Sequence, residues 1–140
     1  MAITQAVCNS FKQELLQGLH DLDGNTLKLA LFTSSATLDA STTAYSTTNE
    51  ASGTGYTAGG ETVTSVAVSL SGTTAFVDFA DVSFTSATIS DAAGALLYNS
   101  SVSDKAIAVI DFGSIKSVTG GTLTVTLPSA NATNALIRIS

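Results

Sequence analysis

The sequence predicts an all-β fold, a jelly-roll or immunoglobulin-like β-sandwich of about eight strands with one N-terminal α-helix. Three observations predict it. From Leu27 onward, apolar residues recur at every second position in short runs. Gly, Ser, Asn and Pro punctuate those runs at intervals suited to hairpins and crossings between sheets. Only the stretch before Gly24 carries helical spacing, so the βαβ rhythm of nucleotide-binding α/β folds is missing.

The helix is expected within residues 4–22, where Val7, Phe11, Leu15 and Leu19 or Leu22 recur at spacings of three and four. Asn9, Gln13 and Gln17 mark its polar side. Gly24 is the expected left-handed stop, and Gly18 weakens the helix by about 1 kcal/mol against Ala if it lies inside it. The apolar stripe either caps the domain's own sheet or docks on a neighbouring chain.

Leu27, Leu29 and Leu31 alternate with Lys28 and Ala30, the pattern of a half-buried strand. Val66, Val68 and Leu70 predict another, with Ser71-Gly72 turning into Ala75, Val77 and Phe79. Val82 and Phe84 share one parity, Ala87 and Ile89 the other, which predicts a bulge or a bend near Thr85-Ser86. Leu96 to Tyr98 predict a short strand. Ala106 to Ile110 is apolar at every position, as in a strand covered on both faces. Leu123, Val125 and Leu127 alternate with threonines until Pro128, which cannot donate to a ladder. Ala135, Ile137 and Ile139 predict a C-terminal strand with Arg138 facing out.

Between these strands, residues 34–61 form a long Ser/Thr/Gly-rich segment, expected to be a functional loop or disordered. Tyr45 and Tyr56 sit inside it, although they are two of only three tyrosines. Such rings either serve an interface or pin the loop to its own domain. The interface candidates are therefore Val7, Phe11, Leu15, Tyr45 and Tyr56.

Composition narrows the function. The 140 residues fit a single domain, 1–140, with material for a core, since 44% are hydrophobic. Only 11% are charged, and 19 Ser and 21 Thr stand where Lys and Glu usually cover a surface. The net charge is −6, and the five basic residues (Lys12, Lys28, Lys105, Lys116 and Arg138) are scattered. That pattern argues against nucleic acid and anionic membranes as partners. Cys8 is the only cysteine, so no intrachain disulfide is expected, and residues 1–22 lack a secretory pattern, which suggests folding in the cytoplasm.

Catalytic and cofactor patterns are weak. His20 is the only histidine, and its place near a helix end among Asp21 and Asp23 suits a cation facing the helix dipole. Asp21-Leu-Asp23-Gly24-Asn25 departs from a calcium loop, having Gly at the fourth position and Phe32 where a bidentate Glu is needed. Gly53-Thr-Gly55-Tyr-Thr-Ala58 lacks the strand and helix of a dinucleotide fingerprint. The expectation is a protein that is not an enzyme, with no cofactor, no metal and no small-molecule substrate.

Tyr45-Ser-Thr-Thr-Asn-Glu50-Ala-Ser-Gly-Thr-Gly55-Tyr-Thr-Ala-Gly-Gly60 resembles a segment of small virion proteins of tailed bacteriophages. Leu27-Lys-Leu-Ala-Leu-Phe-Thr33 and Ala95-Leu-Leu-Tyr-Asn99 belong to the same resemblance, which covers most of the chain from Leu27 onward. Within that group, size and sandwich character are most similar to capsid cement, or decoration, proteins. The resemblance implies a homodimer or homotrimer on the outer capsid surface of the virion, made in the host cytoplasm and contacting the major capsid protein. A tail or head–tail connector subunit, or a carbohydrate-binding β-sandwich, are the alternatives.

Overall fold

A computed structural model describes residues 2–140 and places them in two antiparallel sheets with one short helix. The all-β reading holds. Among the described residues there are nine strands: β1 (Ala6–Val7), β2 (Leu27–Phe32), β3 (Gly53–Thr54), β4 (Glu61–Thr62), β5 (Ala67–Ser71), β6 (Thr74–Asp78), β7 (Val82–Asn99), β8 (Lys105–Val125) and β9 (Arg138–Ile139). The larger sheet runs β1-β8-β7-β2-β4, with β3 also on β7; the smaller runs β5-β6-β9. One hydrophobic core draws on both sheets, on the helix and on the loops between them.

Two strands are much longer than their sequence pattern suggests. The runs around Val82 and Leu96 join into β7, 18 residues, and those around Ile107 and Leu123 join into β8, 21 residues. Together they form a hairpin paired from Val82↔Val125 to Asn99↔Lys105. Glycines and small residues in between read as loop, yet the pairing continues through repeated register shifts. Bulges absorb the extra residues and bend the ribbon. One shift lies between Phe84 and Ala87, where Ser86 has a positive φ of 48°, so the predicted parity switch is such a bulge.

The helix is shorter than expected. α1 spans Asn9–Leu16, while Leu19 and Leu22 fall beyond it. Its stop is Gly18, at φ 73°, not Gly24. The Gly18 amide donates to Leu15 O and the Leu19 amide to Glu14 O, the two bonds of a Schellman cap. Gly18 therefore ends the helix and imposes no interior cost. Residues 4–8 cannot join the helix because Ala6 and Val7 are paired to Val109 and Ala108 as an edge strand.

The hairpin turn of the smaller sheet is shifted by one residue. Ser71 pairs with Thr74, so the two-residue turn is Gly72-Thr73, with Gly72 at φ 61°. The long segment 34–61 is also ordered: its backbone makes bridges from Leu38 to Ile3, Ala44 to Lys105 and Glu50 to Phe32, and contains β3.

Candidate interaction surface

The five residues singled out from sequence have separate fates. Phe11 is buried and tilts against the His20 ring at a centroid distance of 4.9 Å. The helix thus spends its strongest anchor on its own domain, and α1 packs on β8. Val7 and Leu15 are half-buried at the border of an open groove.

Tyr45 and Tyr56 pin their own loop. Glu50 organises them: Tyr45 Oη donates to Oε2 at 2.7 Å, Tyr56 Oη to Oε1 at 2.7 Å, and the Gly59 amide to Oε1 at 2.7 Å. Tyr56 Oη also accepts the Leu31 amide of β2. Burial raises both phenols well above the ordinary tyrosine range, and the carboxylate they share adds to the shift. Gly60 has φ 79°, and a Cβ there would run into the Leu29 carbonyl, so only glycine lets this loop lie on β2.

His20 does not lie at the end of α1, which stops at Leu16. It is buried behind α1 in a chain of polar groups. Asn25 Oδ1 accepts the Asp21 amide, and Asn99 Oδ1 accepts the Ser101 amide. Those bonds orient Asn99 so that Nδ2 donates to Asn25 Oδ1 at 2.9 Å and to His20 Nδ1 at 3.1 Å. With Nδ1 accepting, the network assigns the ring proton to Nε2, which donates to Glu14 Oε1 at 3.1 Å. Lys105 Nζ meets the other oxygen of Glu14 at 3.0 Å. Burial alone would raise the Glu14 carboxyl, but hydrogen bonds from His20 and Lys105 outweigh it and hold it below the usual range. The network satisfies buried polar groups and ties the helix to both ends of the β7–β8 hairpin turn. His20 also lines the groove that reaches Val68, although its ring is fully buried.

Cys8 is likewise a core residue. Burial first, then Asp39 and Glu14, push its thiol up to about 11, so it is held protonated and unreactive. Among the described residues, no group of three or more His, Cys, Asp or Glu gathers to hold a metal.

The unexplained feature is an exposed apolar face. Leu16 is 90% exposed, Leu70 72%, Ile139 57% and Val68 49%. Two adjoining grooves share Leu15, Ile137, Arg138 and Ile139, one running along α1 and the other reaching Val68 and Ala75 of the smaller sheet. Lys12 and Arg138 edge the groove along α1; Asp21, Asp23 and Arg138 edge the other.

No family model, curated protein or solved structure matches this chain.

Sequence reasoning missed this face for two reasons. Leu16 falls outside the stripe of Phe11 and Leu15, and an apolar residue off the stripe was the available signal. Val68 and Leu70 alternate like a half-buried strand, but both stay exposed, as do all five residues of β5.

Proposed function

We propose that the chain is a structural protein that docks onto a larger assembly, in the manner of a capsid cement protein on the shell of a tailed phage. One observation carries the docking part: the apolar face of Leu16, Val68, Leu70 and Ile139, rimmed by a few charges, on a domain whose remaining surface is rich in hydroxyls. Exposed apolar patches with polar rims mark protein–protein contact. The phage part rests on the resemblance of 45–60 and of the β2 and β7 segments. In the structure that segment holds the Glu50–Tyr45–Tyr56 cluster, so the resemblance speaks for a shared scaffold and not for a shared contact surface.

The partner in this reading is the major capsid protein, and many repeated copies turn modest contacts into firm attachment. The net charge of −6 keeps such a surface off packaged or released DNA. The test is fractionation of dissociated particles, followed by add-back of the purified chain to stripped shells. Migration with heads and saturable rebinding support the reading. Migration with tails, or no rebinding, overturns the cement assignment.

A further inference from the structure

β5 is the outer strand of the smaller sheet, and among the described residues no strand pairs with its far edge. The two-residue turn makes Ser71–Thr74 the closing hydrogen-bonded pair of the hairpin, so along β5 every second residue faces β6. Val77, opposite Val68, sends its amide away from β5 to Ile137 O at 3.1 Å. Val68 correspondingly points its amide outward, where Asp23 Oδ2 takes it in a long 3.4 Å contact. By the same alternation Leu70 presents both its N–H and its C=O to solvent.

We infer that β5 pairs with β5 of a second copy of this chain, antiparallel, about a two-fold axis through Ser69. In that register Val68 faces Leu70 of the second copy, and Leu70 faces its Val68. Each outward N–H then meets an outward C=O, so the edge is complementary in partial charge to itself. The same register continues one apolar face across the axis, because Leu70 and Val68 already pair with Ala75 and Val77 on β6. β5 bears no charged residue, proline or bulge, the features by which sheet edges are usually blunted. Its strand neighbour β6 has one, Asp78, and the acidic group on the edge itself is Asp23. Asp23 is the competing occupant, holding the Val68 amide in the single chain. The inference adds self-association to the docking reading proposed above and does not depend on which shell is bound; loss of shell binding with an intact dimer would sink only the shell reading.

The test uses the whole chain. Sedimentation of the wild type should give twice the 14.1 kDa of one chain, with the Leu70 amide protected from hydrogen exchange at high concentration and unprotected on dilution. Leu70→Pro removes an outward N–H without touching the bonds to β6, and Leu70→Lys places a charge on the edge. Both should sediment as folded monomers, and the lysine variant carries the test if proline disturbs the strand. Asp23→Ala should hold the dimer to lower concentration. A wild type that stays monomeric up to about 1 mM, another stoichiometry, or a dimer that survives both Leu70 variants overturns the inference.

Discussion

Tyr45 lies face to face on Tyr98, with ring centroids 4.6 Å apart and planes 10° apart. The stack joins the middle of the 34–61 segment to β7, and Tyr98 Oη donates to Gly59 O further along the same segment. A stretch with almost no aliphatic side chains is therefore held by rings and one carboxylate. Tyr45→Phe keeps the stack and loses the bond to Glu50, at a cost of about 1–2 kcal/mol. Tyr45→Ala loses both and should cost about 3–4 kcal/mol. Urea unfolding measures the difference; equal costs for the two variants would show that the stack contributes nothing.

The tyrosines also set the alkaline limit of the fold. Burial pushes Tyr98 up to about 12, and Tyr45 and Tyr56 are raised further. A phenol whose folded pKa exceeds its ordinary 10.0 contributes its full stability below pH 10 and loses it as pH rises toward the folded value. The chain has three tyrosines and no tryptophan, so tyrosinate absorbance reports on these rings alone. No absorbance step is expected at pH 10; one step should appear above it, together with loss of the β-sheet circular dichroism. A ring that ionises near 10 in the folded chain would contradict the burial seen here.

Where neighbours in sequence decide the structure, the sequence was legible. Leu27, Leu29 and Leu31 are all buried in β2, and the parity change between Phe84 and Ala87 is a bulge at Ser86. The alternation understated β2, where Ala30 and Phe32 are buried as well, so the strand is covered on both faces and not half-buried. Pairing across distance was not legible. The Gly113 to Gly121 stretch continues β8 because β7 lies beside it with matching shifts, which no local pattern in either strand reveals. The buried network joins His20 to Asn99 across 79 residues, so His20 read as an isolated cation. The candidate surface failed in the opposite direction. Alternation in Val68 and Leu70 states which residues share a face, but not whether anything covers that face.

Glu14 should govern the acid limb. Its carboxyl is lower in the folded chain than the ordinary 4.5, so its contribution is present above that pH and drains away as pH falls through the folded value. Glu14→Gln keeps the shape, loses the charge facing His20 and Lys105, and should cost about 1–3 kcal/mol at neutral pH. Below the folded pKa the wild-type carboxyl is protonated too, and the two proteins should converge. Denaturant midpoints across the acid range test this; a gap that stays constant to low pH would mean that packing, not charge, accounts for the loss.

Phe11 and Leu16 separate the two roles of α1. They occupy one eight-residue helix, yet Phe11 is 1% exposed and Leu16 is 90% exposed. Phe11→Ala opens a cavity against His20 and β8 and should cost about 3–5 kcal/mol, a large share of the stability of an ordinary domain. Leu16→Ser removes nothing from the core and should change the unfolding midpoint by no more than about 0.5 kcal/mol. If the groove along α1 is a contact surface, the serine variant should nonetheless rebind stripped shells more weakly than the wild type. A Leu16→Ser chain that folds and attaches like the wild type would remove α1 from the docking face and leave the smaller sheet, with Val68 and Leu70, as its remaining part.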